Sequence, residues 1–333
     1  MYKSILLWSP GIADHQGRLA DNLGDQIIEE AVLDQLRGIF APSTSINKVS
    51  THLRFGPAQR RLADRAELVI VGGSNLLSSY MDGYFQWDLT LANALRVRRA
   101  VLMGCGWWRD QGRANRYTRV LLASVLHWRF RHSVRDSQAR AQLEAINPGP
   151  LRLLRPLNTG CPTMWSFLDQ HQVTCRTTKA DAALVMLTDY DRDPAADRAL
   201  LQLLAENYSS VAFWPQGRDD LAYARELGFE GLVLERSLAA LDRFLADHPL
   251  LDYVGTRLHG GIRCLKAGAR CLILTIDNRA RTIAHDTGLP TAARGDRPAL
   301  QSWIGGAPAA QLTLPAEAIQ SWRRQFQRRV PAP

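Results

Sequence analysis

Short apolar runs alternate along the chain with stretches in which apolar residues recur at helical spacing. The apolar runs predict strands at residues 5–8, 68–71, 100–103, 182–187, 211–214, 253–254 and 271–275. Helical patterns lie between several of them, as at residues 25–36 and 137–146. Because strands that alternate with helices form parallel sheets covered by helices, the pattern predicts an α/β protein.

Small and polar residues follow the predicted strands directly. In parallel sheets, ligands bind beyond the carboxyl ends of the strands. We therefore expect the functional residues among these clusters.

A chain of 333 residues is long for one core, so two domains are expected. Residues 158–179 are polar and rich in Thr and Gly, and a new strand follows them. We predict an N-terminal Rossmann-like domain at residues 1–165 and a C-terminal Rossmann-like domain at residues 178–315.

Residues 316–333 predict a basic terminal helix. One face carries Ile319, Trp322 and Phe326, and the arginines beside it are Arg323, Arg324, Arg328 and Arg329. The pattern favours a helix that packs back across the protein surface. Contact with an anionic membrane is the alternative.

Composition is that of a globular protein, with 46% hydrophobic and 22% charged residues. No apolar run approaches the roughly 18 residues of a membrane span. The N-terminus resembles a first strand more than a signal peptide. The five cysteines are scattered without a CxxC pair, which argues against disulfides and zinc and favours a cytoplasmic protein. A peripheral position at the inner membrane face is the alternative.

The formal charge of +9 predicts anionic partners. Basic residues are dispersed and no nucleic-acid motif is present, so we expect no nucleic acid. HExxH, HxxxH, Asp-rich and GxSxG motifs are absent from the sequence, and no metal or cofactor is expected.

The most informative segment, residues 253–268, places Arg257, Leu258, His259 and Gly260 where a strand gives way to a helix. Arginine matches carboxylate or phosphate with a two-pronged fork, and a helix start offers backbone N–H groups to an anion. Histidine can move a proton near neutral pH. The segment predicts an anion site with acid–base chemistry. The alternative is a buried arginine ion pair with a histidine that caps the helix.

Further candidates follow other strands. Asn22 and Asp25 open the first helix, where Asp25 could cap the helix or act as a general base. Gly72, Gly73 and Asn75 follow a Val-Ile-Val strand and could bring backbone close to a ligand, although a tight turn explains them too.

Four more residues complete the candidate binding residues. Arg135 precedes an aspartate at a strand end, and Gln216 lies in a strand-to-helix turn with two acids. Asn278 and Arg279 follow the strand after the histidine segment and would lie beside Arg257 if the two strands are neighbours.

Taken in order, these motifs resemble the polysaccharide pyruvyl transferase family. The similarity rests on five segments, at residues 22–25, 71–76, 133–137, 214–217 and 255–260. This chain departs from the family pattern at Ser74, where many members have a third glycine. Asp277-Asn278-Arg279 replaces the Tyr-x-x-Lys-like pattern that often follows the next strand.

The resemblance implies a fold similar to GT-B glycosyltransferases, with two Rossmann-like domains facing a central cleft. It also implies transfer of the enolpyruvyl unit of phosphoenolpyruvate, the donor substrate, to a sugar of a cell-surface polysaccharide or its lipid-linked precursor, forming a pyruvate ketal. Arg257 and His259 match the family residues implicated in donor binding and catalysis. A GT-B glycosyltransferase that uses a nucleotide sugar is the alternative function. The sequence leaves the oligomeric state open.

Overall fold

A computed structural model describes residues 2–95, 97, 100–146, 154–170, 173–306 and 310–327. The chain forms two compact units. The first contains Met1–Ala20, Ile28–Ser166 and Leu314–Pro333, and the second contains Asp21–Ile27 and Phe167–Thr313.

Strands and helices alternate along both units. The strands are β1 (Ser4–Ser9), β2 (Ser45–Ser50), β3 (Leu68–Gly72), β4 (Val101–Met103), β5 (Arg131–Val134), β6 (Arg155–Asn158), β7 (Val173–Thr174), β8 (Ala182–Met186), β9 (Ser210–Phe213), β10 (Leu232–Val233), β11 (Asp252–Gly255), β12 (Arg270–Thr275), β13 (Thr291–Ala293) and β14 (Gln311–Leu312). The α-helices are α1 (Leu23–Ile39), α2 (Pro57–Arg65), α3 (Leu91–Ala94), α4 (Arg116–Val125), α5 (Ser137–Ile146), α6 (Pro194–Asn207), α7 (Asp220–Glu226), α8 (Leu238–Asp247), α9 (Leu258–Lys266), α10 (Asn278–Thr287), α11 (Arg297–Gly305) and α12 (Ala316–Arg324). A 3₁₀ segment covers Pro162–Gln170.

The first unit is built on a parallel sheet in the order β2-β1-β3-β4, and β5 and β6 form a separate parallel pair. Ile5 pairs with Leu68, and Val71 with Leu102. Strands β1, β3 and β4 consist mostly of fully buried apolar residues. Strands covered on both faces need this continuous apolar character, which explains why the sequence pattern located them.

The second unit contains a parallel sheet in the order β10-β9-β8-β11-β12-β13. The chain builds outward from β8 to β9 and β10, and then from β11 to β12 and β13 on the other side. The order therefore reverses between β8 and β11. A crevice at such a reversal is where α/β sheets bind ligands. The predicted α/β class with parallel sheets is confirmed.

The predicted terminal helix is also present, as α12, and it packs against the first unit. Ile319 and Trp322 are fully buried, and the Trp322 indole N–H donates to the Leu102 carbonyl at 3.1 Å. The helix ends at Arg324, before the predicted bound, and residues 328–333 lie outside the described residues. The apolar face of α12 is therefore occupied by the protein's own core.

His132 is fully buried in strand β5, which follows the end of α4 at Val125. Nδ1 of His132 lies 3.3 Å from the Leu102 N–H and Nε2 lies 3.2 Å from the His127 carbonyl. Since an N–H can only donate and a carbonyl can only accept, the ring is neutral with its proton on Nε2.

Candidate functional site

Four neighbouring strands of the second unit end at the same sheet edge, and polar side chains follow each of them. They are Asp189 and Tyr190 after β8, Gln216 and Asp220 after β9, Arg257 and His259 after β11, and Asp277 and Arg279 after β12. We refer to these eight residues as the edge cluster. The cluster spans the reversal between β8 and β11.

Arg257 lies at the centre of the edge cluster, at the N-terminal cap of α9. Its side chain is only 3% exposed. Nε donates to Asp220 Oδ2 at 2.9 Å, and Nη2 donates to Asp189 Oδ1 at 3.0 Å and to Asp220 Oδ1. These bonds fix the guanidinium and leave Nη1 outside them. The structure thus contains the buried arginine ion pair that was the alternative, and the anion site stays a prediction.

Asp220 organises the loops around Arg257. Its fully buried carboxylate accepts the backbone N–H groups of Gln216 at 3.0 Å, Gly217 at 2.6 Å and Asp189 at 3.1 Å. Burial opposes the charge of Arg257, but the carboxylate of Asp220 offsets this, and the pKa of the guanidinium lies above its usual value. Arg257 therefore stays charged, and the carboxylate of Asp220 joins the ends of β8, β9 and β11.

Tyr190 lies between two arginines. The guanidinium of Arg257 lies 5.0 Å from the centre of the Tyr190 ring, and that of Arg279 lies 5.9 Å from it. Arg279 also donates to the Tyr190 hydroxyl at 2.7 Å and pairs with Asp277 at 2.6 Å. Cations above a ring face are attracted by its quadrupole. Tyr190 thus connects the ends of β8, β11 and β12.

The edge cluster has more carboxylates than guanidinium groups, so its charge is not positive. Two guanidinium groups, of Arg257 and Arg279, face three carboxylates, of Asp189, Asp220 and Asp277. An anion at this edge would meet donors whose charge is already compensated. Binding of an anion here would depend on well-oriented hydrogen-bond donors more than on net positive charge.

Gln216 links the starts of two helices. Its Oε1 accepts the Gly260 N–H at 3.1 Å, and its Nε2 donates to Asn22 Oδ1 at 3.3 Å. Asn22 caps α1 through the Gly24 N–H at 3.0 Å and donates to Asp25 Oδ2 at 3.1 Å. The structure thus brings Asn22, Asp25, Gln216 and Gly260 into one hydrogen-bonded chain. The Gly260 N–H, which we expected to face an anion, is used inside this chain.

The first turn of α9 is tightly packed. Leu258 and His259 are both 6% exposed. A Cβ on Gly260 would lie 2.4 Å from Met186 Sδ, and one on Gly261 would lie 2.5 Å from Tyr253 Cε1. The glycines therefore let α9 approach the sheet closely, and this approach places His259 at the strand edge. Asn278 is buried at the start of α10.

The remaining predicted residues lie in the first unit. Arg135 is 1% exposed, with Nε 3.2 Å from Asp136 Oδ2 and Nη2 2.7 Å from Asn75 Oδ1. Gly72 is buried, and a Cβ on it would lie 2.9 Å from Val32 Cγ1. Gly73 has a φ of 70°, and a Cβ on it would lie 2.1 Å from Ile28 Cγ2. Both glycines thus permit close packing of α1 against the turn after β3, as the tight-turn explanation requires.

Sequence reasoning missed two members of the edge cluster and undervalued a third. The motifs at the strand ends singled out neither Asp189 nor Tyr190. Asp220 is one of the two acids in the turn that contains Gln216. A polar residue directly after a buried strand was the available signal for Asp189. Tyr190 gave none, because its importance comes from two arginines 67 and 89 positions later in the chain.

Comparison with known proteins defines the class. The chain matches the family described as polysaccharide pyruvyl transferase over residues 22–278, well over half of its length. The chain therefore belongs to this family and is a transferase. The resemblance found in the motifs is confirmed. No curated protein matches the sequence.

Three solved structures resemble the chain weakly, each at 11% sequence identity. The wall teichoic acid polymerase TagF gives a TM-score of 0.45 over 98% of this chain and 83% of that chain. Arabidopsis thaliana UGT89C1, complexed with UDP-L-rhamnose, gives 0.44 over 98% and 94%. A glycosyl transferase family 9 protein from Veillonella parvula gives 0.30 over 82% and 80%.

Proposed function

We propose that this transferase moves the enolpyruvyl unit of phosphoenolpyruvate onto a sugar of a cell-surface polysaccharide or its lipid-linked precursor, forming a pyruvate ketal. Family membership supports the reaction class. The observation that carries the proposal is the arrangement of Arg257 at the edge of the second sheet. Asp220 and Asp189 hold its fork through Nε and Nη2, and its Nη1 lies outside these bonds, two residues before His259.

In this proposal Arg257 binds the donor through Nη1. Phosphoenolpyruvate carries a carboxylate and a phosphate, and both accept N–H donors. The fixed guanidinium needs no rearrangement when the donor binds or when charge moves to the departing phosphate. Arg279 is the second candidate cation at the same edge.

The chemistry requires one proton at the methylene carbon of the donor, and we assign this proton to His259 as general acid. Protonation leaves an oxocarbenium centre at the adjacent carbon. One sugar hydroxyl attacks this carbon, the bond to the phosphate oxygen breaks, and a second hydroxyl then forms the ketal. Of the two hydroxyl protons, one balances the proton gained by the methyl group and the other leaves with phosphate.

Asp25 is the proposed acceptor of a hydroxyl proton. Its carboxylate is partly exposed in the first turn of α1 and accepts a hydrogen bond from Asn22. A carboxylate that is accessible and oriented by a neighbour suits a general base. Asp25 also lies in the first turn of α1, where a carboxylate stabilises the helix. Its substitution therefore affects both the proposed base and the stability of α1.

Titration calorimetry with phosphoenolpyruvate and with a panel of nucleotide sugars tests the donor. We expect phosphoenolpyruvate to bind and Arg257→Lys to weaken binding at least about tenfold, because lysine keeps the charge but loses the fork. Arg263→Lys is the matched control. Arg263 lies on the same helix and makes a two-pronged pair with Asp242 at 2.6 Å, away from the edge cluster. Binding of a nucleotide sugar alone would overturn the proposal in favour of glycosyl transfer.

The described residues contain no helix that is long and apolar enough to cross a bilayer. We propose a cytoplasmic protein that reaches a lipid-linked acceptor by peripheral contact with anionic lipid. The exposed Arg324 on α12 is the described residue that would contribute to this contact. Sedimentation with vesicles containing anionic lipid, compared between the wild type and Arg324→Gln, tests it. Equal sedimentation would contradict a role for Arg324.

A further inference from the structure

Two aromatic rings form a stacked pair at the carboxyl edge of the first sheet. Tyr84 lies in the loop after β3 and Trp108 in the loop after β4. Their ring centres are 4.8 Å apart and their planes differ by 25°. The guanidinium of Arg109 lies 4.8 Å from the centre of the Trp108 ring. Both rings are only half-buried, so part of each is open to a ligand.

The side chains of Asn75 and Arg135 adjoin this aromatic pair. The Tyr84 hydroxyl donates to the Asn75 carbonyl, and Asn75 Oδ1 accepts from Arg135 Nη2 at 2.7 Å. The bonds of Arg135 use Nε and Nη2, and the bond of the Asn75 side chain uses Oδ1. Among the residues that the structure describes, Nη1 of Arg135 and Nδ2 of Asn75 therefore remain as donors without a hydrogen-bond acceptor. They lie on residues held directly beside Tyr84.

Gly106 leaves space for the guanidinium of Arg135. A Cβ at Gly106 would lie 2.3 Å from the guanidinium carbon of Arg135, so only glycine leaves room for the buried fork. Asp136 compensates the charge of Arg135, since its Oδ2 lies 3.2 Å from Nε. The remaining donors therefore suit an uncharged oxygen better than an anion.

We propose that Tyr84, Trp108, Asn75 and Arg135 form a saccharide-binding subsite. A sugar ring has an apolar face of C–H groups and a rim of hydroxyls. The face packs on the aromatic pair, and the hydroxyl oxygens accept hydrogen bonds from Asn75 Nδ2 and Arg135 Nη1. Small-molecule sites usually combine an aromatic surface with a few polar groups that point toward the ligand. The inference rests on the proposed function, because it assigns the acceptor of that reaction to this edge.

Saturation-transfer difference NMR tests the subsite, with the methyl pyranosides of glucose, galactose and mannose as separate probes. We expect transfer from the protein to the ring C–H protons of at least one probe. Trp108→Ala should remove most of this signal. Trp128→Ala is the matched control, because Trp128 is also partly exposed beside an arginine, Arg129, but precedes β5 at the opposite end of the strands.

Two outcomes would overturn the subsite: no transfer to any of the three probes, or transfer that Trp108→Ala leaves unchanged. Calorimetry with phosphoenolpyruvate on the same samples separates this result from the proposed function. If phosphoenolpyruvate binds but no saturation is transferred to a pyranoside, the subsite alone is overturned. If saturation reaches a pyranoside and depends on Trp108 but phosphoenolpyruvate does not bind, the pyruvyl reaction is overturned and the subsite is kept.

Discussion

At the scale of single residues, the buried ion pair of Arg257 and Asp220 determines the geometry of the edge cluster. Desolvation of two charges offsets most of their attraction, so such a pair adds little net stability. Removing one partner is different, because the other charge stays buried without compensation. The pair therefore serves mainly to fix the orientation of the guanidinium.

Asp220→Asn should lower the free energy of unfolding by about 3 kcal/mol, since it removes the charge that compensates buried Arg257. Asp242→Asn is the control, because Asp242 also pairs with an arginine, Arg263, but is 49% exposed. Exposed pairs contribute about 0–1 kcal/mol. Urea unfolding of both variants measures the difference. Equal losses would show that burial of the Arg257 pair has no energetic consequence.

His132 predicts a dependence of stability on pH. Burial lowers the pKa of its ring from 6.5 to about 3 in the folded protein. Between these pH values the unfolded chain therefore binds more protons than the folded protein. The contribution of His132 to the free energy of unfolding is fully present above pH 6.5 and is lost as the pH falls. The contribution of one such group is about 1.4 kcal/mol per pH unit.

Unfolding measured between pH 7 and 4.5 tests this contribution. His132→Asn lowers stability throughout, because asparagine cannot reproduce both hydrogen bonds, but its curve should be flatter than that of the wild type. His248→Asn, at an exposed position after α8, should keep the wild-type slope. A parallel shift of the whole His132→Asn curve would assign the pH dependence to other groups.

At the scale of elements, the sequence located strands whose residues are apolar throughout. Strand β3 and helix α5 have nearly the predicted bounds. Strand β2 was missed, because its sequence Ser-Ile-Asn-Lys-Val-Ser alternates and it lies at the sheet edge, half exposed. Continuous apolar runs identify central strands, but an edge strand resembles a polar loop in the sequence.

The same scale explains how much of the site could be predicted. Arg257, His259 and Gln216 were found because each lies within a short motif at a strand end. Their partners were not, since Asp189 contacts Arg257 across 68 positions and Asp220 across 37. Strand order decides which loop ends meet. Without it, the sequence could not tell whether Arg257 was open to a ligand or paired.

Gly261→Ala should destabilise the protein by about 1–3 kcal/mol. The added Cβ would lie 2.5 Å from the Tyr253 ring and 2.8 Å from Ile273 Cγ1, and neither buried side chain can move freely. Gly38→Ala is the matched control, as Gly38 is also helical and has nothing within 4 Å of its added Cβ. Thermal unfolding should show a lower midpoint for Gly261→Ala alone. Similar midpoints would mean that α9 can shift away from the sheet.

At the scale of the whole molecule, neither compact unit is continuous in sequence. Residues 21–27 belong to the second unit, although the rest of α1 belongs to the first. The chain returns to the first unit at Leu314 and ends there. A fragment cut at residue 166 therefore lacks α12, whose apolar face completes the first core. Deletion of residues 316–333 would therefore disturb folding of the first unit, and any effect on lipid binding could not be separated from it.

Trp322→Ala measures this dependence without deleting the helix. The indole is fully buried, donates to Leu102 and packs edge-to-face on Trp165 at 5.6 Å. Its removal leaves a cavity and an unpaired carbonyl, so we expect a loss of about 3–5 kcal/mol in unfolding free energy. Trp128→Ala, at a ring that is 42% exposed, should cost less than about 1 kcal/mol. A small loss at Trp322 would mean that the first unit is stable without the packing of α12.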